Sequence, residues 1–128
     1  MLYKTELTIP PNTDKTNRVS SDILLIPGTI VEVGIGFPPG CNGLAHCVIN
    51  EKLHQLWPST DGFSFHWDSI LRTFTEDLTI SEIPFVLTVY GWNFDNLYQH
   101  TITVEINLLA GQSAWEDYLK SVIGRPIG

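Results

Sequence analysis

The side chains able to do chemistry in this 128-residue chain are four histidines, two cysteines and fourteen acidic residues, and their spacing brings few of them together. His46, His54, His66 and His100 form no pair at metal-ligand spacing, and neither HExxH nor CxxC occurs. His46 directly precedes Cys47, which places the two on opposite faces of a strand. His66 and Asp68 share a strand face, where a carboxylate can orient an imidazole or help hold a cation. Ordinary surface hydrogen bonding is the favoured explanation of that pair and needs no metal. Cys41 and Cys47 have no cationic sequence neighbours to lower a thiol pKa, and no GxSxG elbow is present. Glu76-Asp77 and Glu116-Asp117 are adjacent pairs, which do not face each other across a cleft as glycoside hydrolysis requires. No glycine-rich loop leads from a strand into a helix to cradle a phosphate. The expectation is a protein that is not an enzyme and carries no metal or cofactor.

Aromatic side chains are the second chemical resource. Trp57, Trp67, Trp92, Tyr90 and Tyr98 fall at strand ends and loops in the middle of the chain. Indoles at the edge of a sandwich can stack on sugar rings, so Trp57, Trp67 and Trp92 are candidate glycan contacts. The competing expectation makes Trp67 and Trp92 core or core-rim residues, since large aromatics dominate the packing of small domains.

The elements that must position these residues are mostly strands. Tyr3, Thr5, Leu7 and Ile9 alternate with polar residues and end at Pro10-Pro11. Residues 12–18 are wholly polar and read as an extended arm or long loop. Strands are expected over residues 19–26 and 29–37, joined at Pro27-Gly28, with Val31, Val33, Ile35 and Phe37 on one face. Gly34 and Gly36 on the other face point to a close neighbour or a bulge. Residues 44–50 and 53–57 form the next pair, and Phe63, Phe65 and Trp67 alternate with polar residues. Residues 69–83 mix Thr and Ile with Glu76 and Asp77 and leave room for a short helical turn. Residues 85–90 read as a strand buried on both faces, followed by the linker Trp92-Asn93-Phe94-Asp95-Asn96. In residues 101–108, Ile102, Val104, Ile106 and Leu108 oppose Thr101, Thr103, Glu105 and Asn107, which marks a long strand with one wet face. Strands at this spacing, separated by Gly, Pro and Asn turns, predict a β-sandwich or barrel.

The period changes after residue 110. Trp115, Tyr118, Leu119 and Val122 fall at i, i+3, i+4 and i+7, Ser113 and Glu116 form a capping box, and Gly124 with Pro126 supplies the stop. A helix of about ten residues is marginal alone in water. It must therefore dock, on its own sheet or on a neighbouring subunit. The predicted organisation is one domain: an N-terminal strand and polar arm over residues 1–18, a β-sandwich over 19–109, and a C-terminal amphipathic α-helix over 113–124.

Composition limits the partners. Charged residues make up 16% of the chain, against about 25% in ordinary soluble domains, so the surface is either rich in neutral polar groups or partly hidden in an assembly. The net charge is −7 with seven scattered Lys and Arg, which disfavours nucleic acid and anionic membranes. No run approaches the roughly 18 apolar residues of a membrane span. The sequence Met1-Leu2-Tyr3-Lys4-Thr5-Glu6 lacks the apolar core of a signal peptide. Folding in a cytoplasm, with Cys41 and Cys47 as reduced thiols, is the matching expectation, although their pairing is not fixed by sequence.

Three segments, Ile9-Pro10-Pro11-Asn12-Thr13-Asp14, Gly36-Phe37-Pro38-Pro39-Gly40 and Trp92-Asn93-Phe94-Asp95-Asn96, together resemble small jelly-roll accessory proteins of viral particles. Phage members of that group decorate or cement capsids, often as trimers. The resemblance spans roughly Ile9 to Leu109 and leaves the C-terminal helix outside. It implies an antiparallel jelly-roll β-sandwich and a homo-oligomeric virion protein that contacts a capsid shell through its arm and edge strands. The polar arm and the apolar stripe supply the candidate partner contacts: Asn12, Asp14, Lys15 and Arg18 from the one, Trp115, Tyr118, Leu119 and Val122 from the other. A glycan-binding module is the alternative.

Overall fold

A computed structural model describes residues 1–110. The expected helix over 113–124, with Trp115, Tyr118, Leu119 and Val122, lies outside the described residues. Eight strands follow one another: β1 (Leu2–Ile9), β2 (Val19–Leu25), β3 (Gly28–Phe37), β4 (Ala45–Glu51), β5 (His54–Trp57), β6 (Ile70–Ile80), β7 (Phe85–Asn93) and β8 (His100–Leu109). They form two four-stranded sheets, ordered β1-β8-β3-β6 and β2-β7-β4-β5. Every pairing is antiparallel. The chain is therefore a β-sandwich, as its alternating patterns predict.

The two sheets close on one core. Ile102, Val104, Ile106 and Leu108 of β8 are fully buried and meet Leu87 and Val89 of β7 and Ile49 of β4 in a single cluster. Each such side chain contributes about 1.5–3 kcal/mol by leaving water. The opposite face of β8, with Thr101, Thr103, Glu105 and Asn107, is half-buried, which is the period of two read from the sequence. Gly91 of β7 faces inward. A Cβ there would sit 2.6 Å from Ile9 Cδ1 and 2.7 Å from Leu7 Cδ2, so the two sheets can approach only because that position is bare.

Several local expectations change. Residues 69–83 hold no helical turn: they carry β6, the longest strand at 11 residues and an edge of its sheet. Its period of two was masked because an inward-alternating position, Glu76, is charged. That carboxylate accepts a hydrogen bond from Trp57 Nε1 at 2.8 Å, which lets it take a place among Phe74, Leu78 and Ile80. In β3 a bulge between Ile30 and Glu32 shifts the register, so Ile30 rather than Val31 joins Val33, Ile35 and Phe37 in the core. Gly34, on the other face, does lie close under Thr73 and Glu105. Residues 63–68 make only an isolated bridge, Phe65 to Cys47. Trp92 and Asn93, read as linker, complete β7.

Cys41 and Cys47 are both buried free thiols. Burial, with Asp68 and Asp95 nearby, pushes the Cys41 thiol up to about 11, and burial alone pushes Cys47 up to about 12. Neither is a thiolate at neutral pH, and both pack as small apolar residues.

Candidate functional site

The strand directions put four long connections at one end of the sandwich: residues 10–18, 38–44, 58–69 and 94–99. The opposite end carries the chain's first residue, the end of β8 and three short turns. The loop end therefore holds nearly all the irregular backbone.

Residues 12–18, expected as an arm or long loop, are tied down at this end. Asn12 N donates to Asp95 O at 2.7 Å, and Thr13 exchanges two backbone hydrogen bonds with Asn93 at 2.9 and 2.8 Å. Asp14 then caps a 3-10 turn, Lys15–Asn17, by accepting from Asn17 N at 3.0 Å and from the Thr16 hydroxyl at 2.8 Å. The Thr16 hydroxyl and the Asn17 N–H hold the exposed Asp14 carboxyl below its ordinary range. Lys15 Nζ lies 5.2 Å from the centre of the Trp92 ring, and the Arg18 guanidinium stacks 4.1 Å over Tyr90. All four polar candidates, Asn12, Asp14, Lys15 and Arg18, are exposed on this short, capped segment.

A ladder of rings runs beside it. His46 of β4 pairs directly with Trp92 of β7, and their rings stack at 5.4 Å and 10°. His66 stacks on His46 at 4.6 Å, Phe94 meets His46 edge-on, and Ser64 Oγ lies 2.7 Å from His46 Nδ1. The pairing of His46 with His66 was not visible from their spacing of twenty residues, because the fold-back of residues 58–69 creates it. Asp68 points elsewhere and accepts from Gly40 N at 3.0 Å, so His66 and Asp68 form no ligand pair. Among the described residues no three His, Cys, Asp or Glu side chains gather as a metal site would need.

Desolvation, then the neighbouring His66 and Lys15, lower His46 from an ordinary 6.5 to about 4. Between those values the unfolded chain holds more protons than the folded one, so stability falls as pH drops; above about 6.5 the contribution is fully present. The loss for this half-buried ring is on the order of 1–2 kcal/mol after allowance for solvent screening. Urea denaturation of wild type and His46→Gln between pH 7 and pH 4 will show a smaller acid loss in the variant. Equal losses would assign the effect to other groups.

The three tryptophans do not share a surface. Trp57 and Trp92 are each 4% exposed, Trp57 against Phe74 and Glu76, Trp92 beneath Lys15 and His46. Trp67 is half-buried between Phe37, Phe65 and Arg72. Trp57 and Trp67 join one aromatic cluster through Phe74 and Phe65, while Trp92 packs with His46 and Lys15. The Phe and Tyr side chains most exposed at this end are Phe63, Phe94 and Tyr98.

The connection carrying Phe94 and Tyr98 is built by three polar residues whose roles the sequence reading missed. Asn93, fully buried, accepts from Asp95 N at 2.9 Å and donates to Tyr98 O at 2.9 Å, to Pro10 O at 3.3 Å and to Ile9 O at 3.4 Å. Asp95 Oδ1 accepts from Leu97 N at 2.9 Å and Tyr98 N at 3.2 Å, while Oδ2 lies 2.8 Å from His100 Nε2. The Leu97 N–H first, then His100, hold the Asp95 carboxyl below its ordinary range. Asn-Phe-Asp-Asn is a turn-forming string whose side chains bond their own backbone, and that signal could have marked the loop as ordered. The Asp95–His100 pair has the geometry of a base and its orienter. No protein-family model, curated protein or solved structure matches this chain.

Proposed function

We propose that the chain is a structural, non-enzymatic subunit of jelly-roll type that self-associates and decorates or cements a larger protein shell such as a phage capsid. The jelly-roll reading is supported by the nesting of strand pairs: β1 with β8, β2 with β7, β3 with β6 and β4 with β5. One long antiparallel ribbon wrapped into two sheets pairs its strands in that way.

The observation that carries the assembly reading lies at the end opposite the long loops. Leu25 pairs with Phe85 and Gly28 with Ile80, so the turns holding Ile26 and Ile83 run side by side. Thr29 pairs with Leu109, and Leu108 N donates to Met1 O, which brings Met1 and Leu109 to the same end. Leu53 tips the adjacent β4–β5 turn and is 100% exposed, and Ile83 is 70% exposed. Exposed aliphatic side chains on neighbouring turns of a weakly charged domain, here Ile26, Leu53 and Ile83, support reading this end as a surface that works when covered.

Light scattering of the full chain after size exclusion, at micromolar concentration, tests this. The expected mass is a multiple of 14.4 kDa. A concentration-independent monomer would overturn the assembly reading.

A further inference from the structure

At the loop end, we infer, residues 38–44 and 94–99 enclose a binding site for a neutral saccharide. The site lies within one chain and does not rest on the assembly reading. Between the two connections is an open cleft of about 580 Å³, walled by Asn42, Leu44, Asp95, Tyr98, Gln99 and His100.

Four features fix the ligand class. Tyr98 is 66% exposed and offers an aromatic surface to the cleft, suited to the C–H face of a pyranose. Asn42 and Gln99 are exposed carboxamides with no hydrogen-bond partner among the described residues, and each can donate and accept as sugar hydroxyls do. Asn42 is held at φ 49°, a left-handed conformation that fixes where its side chain starts. Finally, His100 is only 6% exposed yet lines the cleft; its Nε2 is taken by Asp95 and its Nδ1 has no partner among the described residues. In the neutral ring Nε2 carries the proton shared with Asp95, which leaves Nδ1 an acceptor for one hydroxyl.

Charge excludes the neighbouring classes. The cleft contains no Lys or Arg, and the Asp95 carboxylate at its wall repels phosphates, sulfates and acidic sugars. The Asp95 oxygens are already engaged by Leu97, Tyr98 and His100, so a cation gains little there. A purely apolar ligand would leave both carboxamides unsatisfied. This site differs from the Trp-based alternative read from the sequence: its aromatic surface is a tyrosine on a loop ordered from beneath by Asn93 and Asp95.

The test is a printed array of neutral and acidic glycans probed with the full chain, followed by calorimetric titration of the best neutral glycan. Tyr98→Ala is expected to weaken that binding about tenfold, as loss of one stacking contact does. Asn42→Gly, which suits the backbone conformation and removes the carboxamide, is expected to weaken it about threefold. Phe63→Ala, an exposed aromatic outside the cleft, is expected to leave it within about twofold. Retention of no neutral glycan, or of acidic glycans alone, would overturn the proposal. So would a Tyr98→Ala variant with a wild-type thermal midpoint and wild-type affinity. Should Tyr98→Ala fold poorly, Asn42→Gly and Gln99→Ala decide alone, and wild-type affinity in both overturns it.

Discussion

Trp57→Ala will destabilise the chain by about 4 kcal/mol, within the range for removing a buried indole from a core. Two losses combine in that figure. The indole packs at 6.3 Å against Phe74 and is 4% exposed, so its removal leaves a cavity between β5 and β6. Its Nε1 also satisfies Glu76 Oε2 at 2.8 Å, and Glu76 sits at an inward-alternating position of β6. A carboxylate that loses its donor there must find water or pull the strand outward. Trp57→Phe keeps most of the packing and removes only the donor, so its expected loss is smaller, about 1.5 kcal/mol. Urea denaturation separates the two variants by midpoint. Equal losses would mean that the ring packing contributes nothing beyond the hydrogen bond; a loss below about 1 kcal/mol in Trp57→Ala would remove Trp57 from the core.

Asn93→Ala is expected to destabilise by about 3 kcal/mol. One carboxamide joins the end of β1, through Ile9 O and Pro10 O, to the turn at Asp95 and Tyr98. The side chain is fully buried, and alanine would leave Asp95 N and three carbonyls without this partner. The variant also separates stability from loop order: amide exchange at Leu97 and Tyr98 will accelerate more than exchange in β8. Uniform acceleration across both would contradict a local role for Asn93, and an unchanged urea midpoint would contradict the stability role as well.

The framework was legible wherever burial follows a simple period. β1, β3 and β8 announce themselves through alternation, and the Pro-Gly and Pro-Pro breaks fall at their ends. β6 escaped because Glu76 broke the apolar period, and the distant Trp57 supplies the donor that meets its carboxylate. The Ile30 bulge was hidden for a related reason, since Ile30 and Val31 are both apolar and either could have faced inward. The candidate site was less legible. Trp57 and Trp92 stood out by residue type, yet exposure is a tertiary property, and the covering groups come from Glu76, Lys15 and His46. The residues that do line the loop-end cleft come from two connections about fifty residues apart, and nothing in either segment announces the other.

We place the proposed association surface at the end carrying Ile26, Leu53 and Ile83, and the proposed saccharide site at the end of the long loops, divided by the length of the sandwich. The measurement that bears most directly on this division is sedimentation velocity of wild type beside an Ile83→Lys, Leu53→Lys variant. Both positions are solvent-exposed turn residues, so the substitutions leave the core untouched. The expected result is a wild-type oligomer and a variant that sediments as a folded 14.4 kDa monomer. Identical sedimentation of the two proteins, whether both monomeric or both assembled, would contradict the assignment of the apolar end as the association surface.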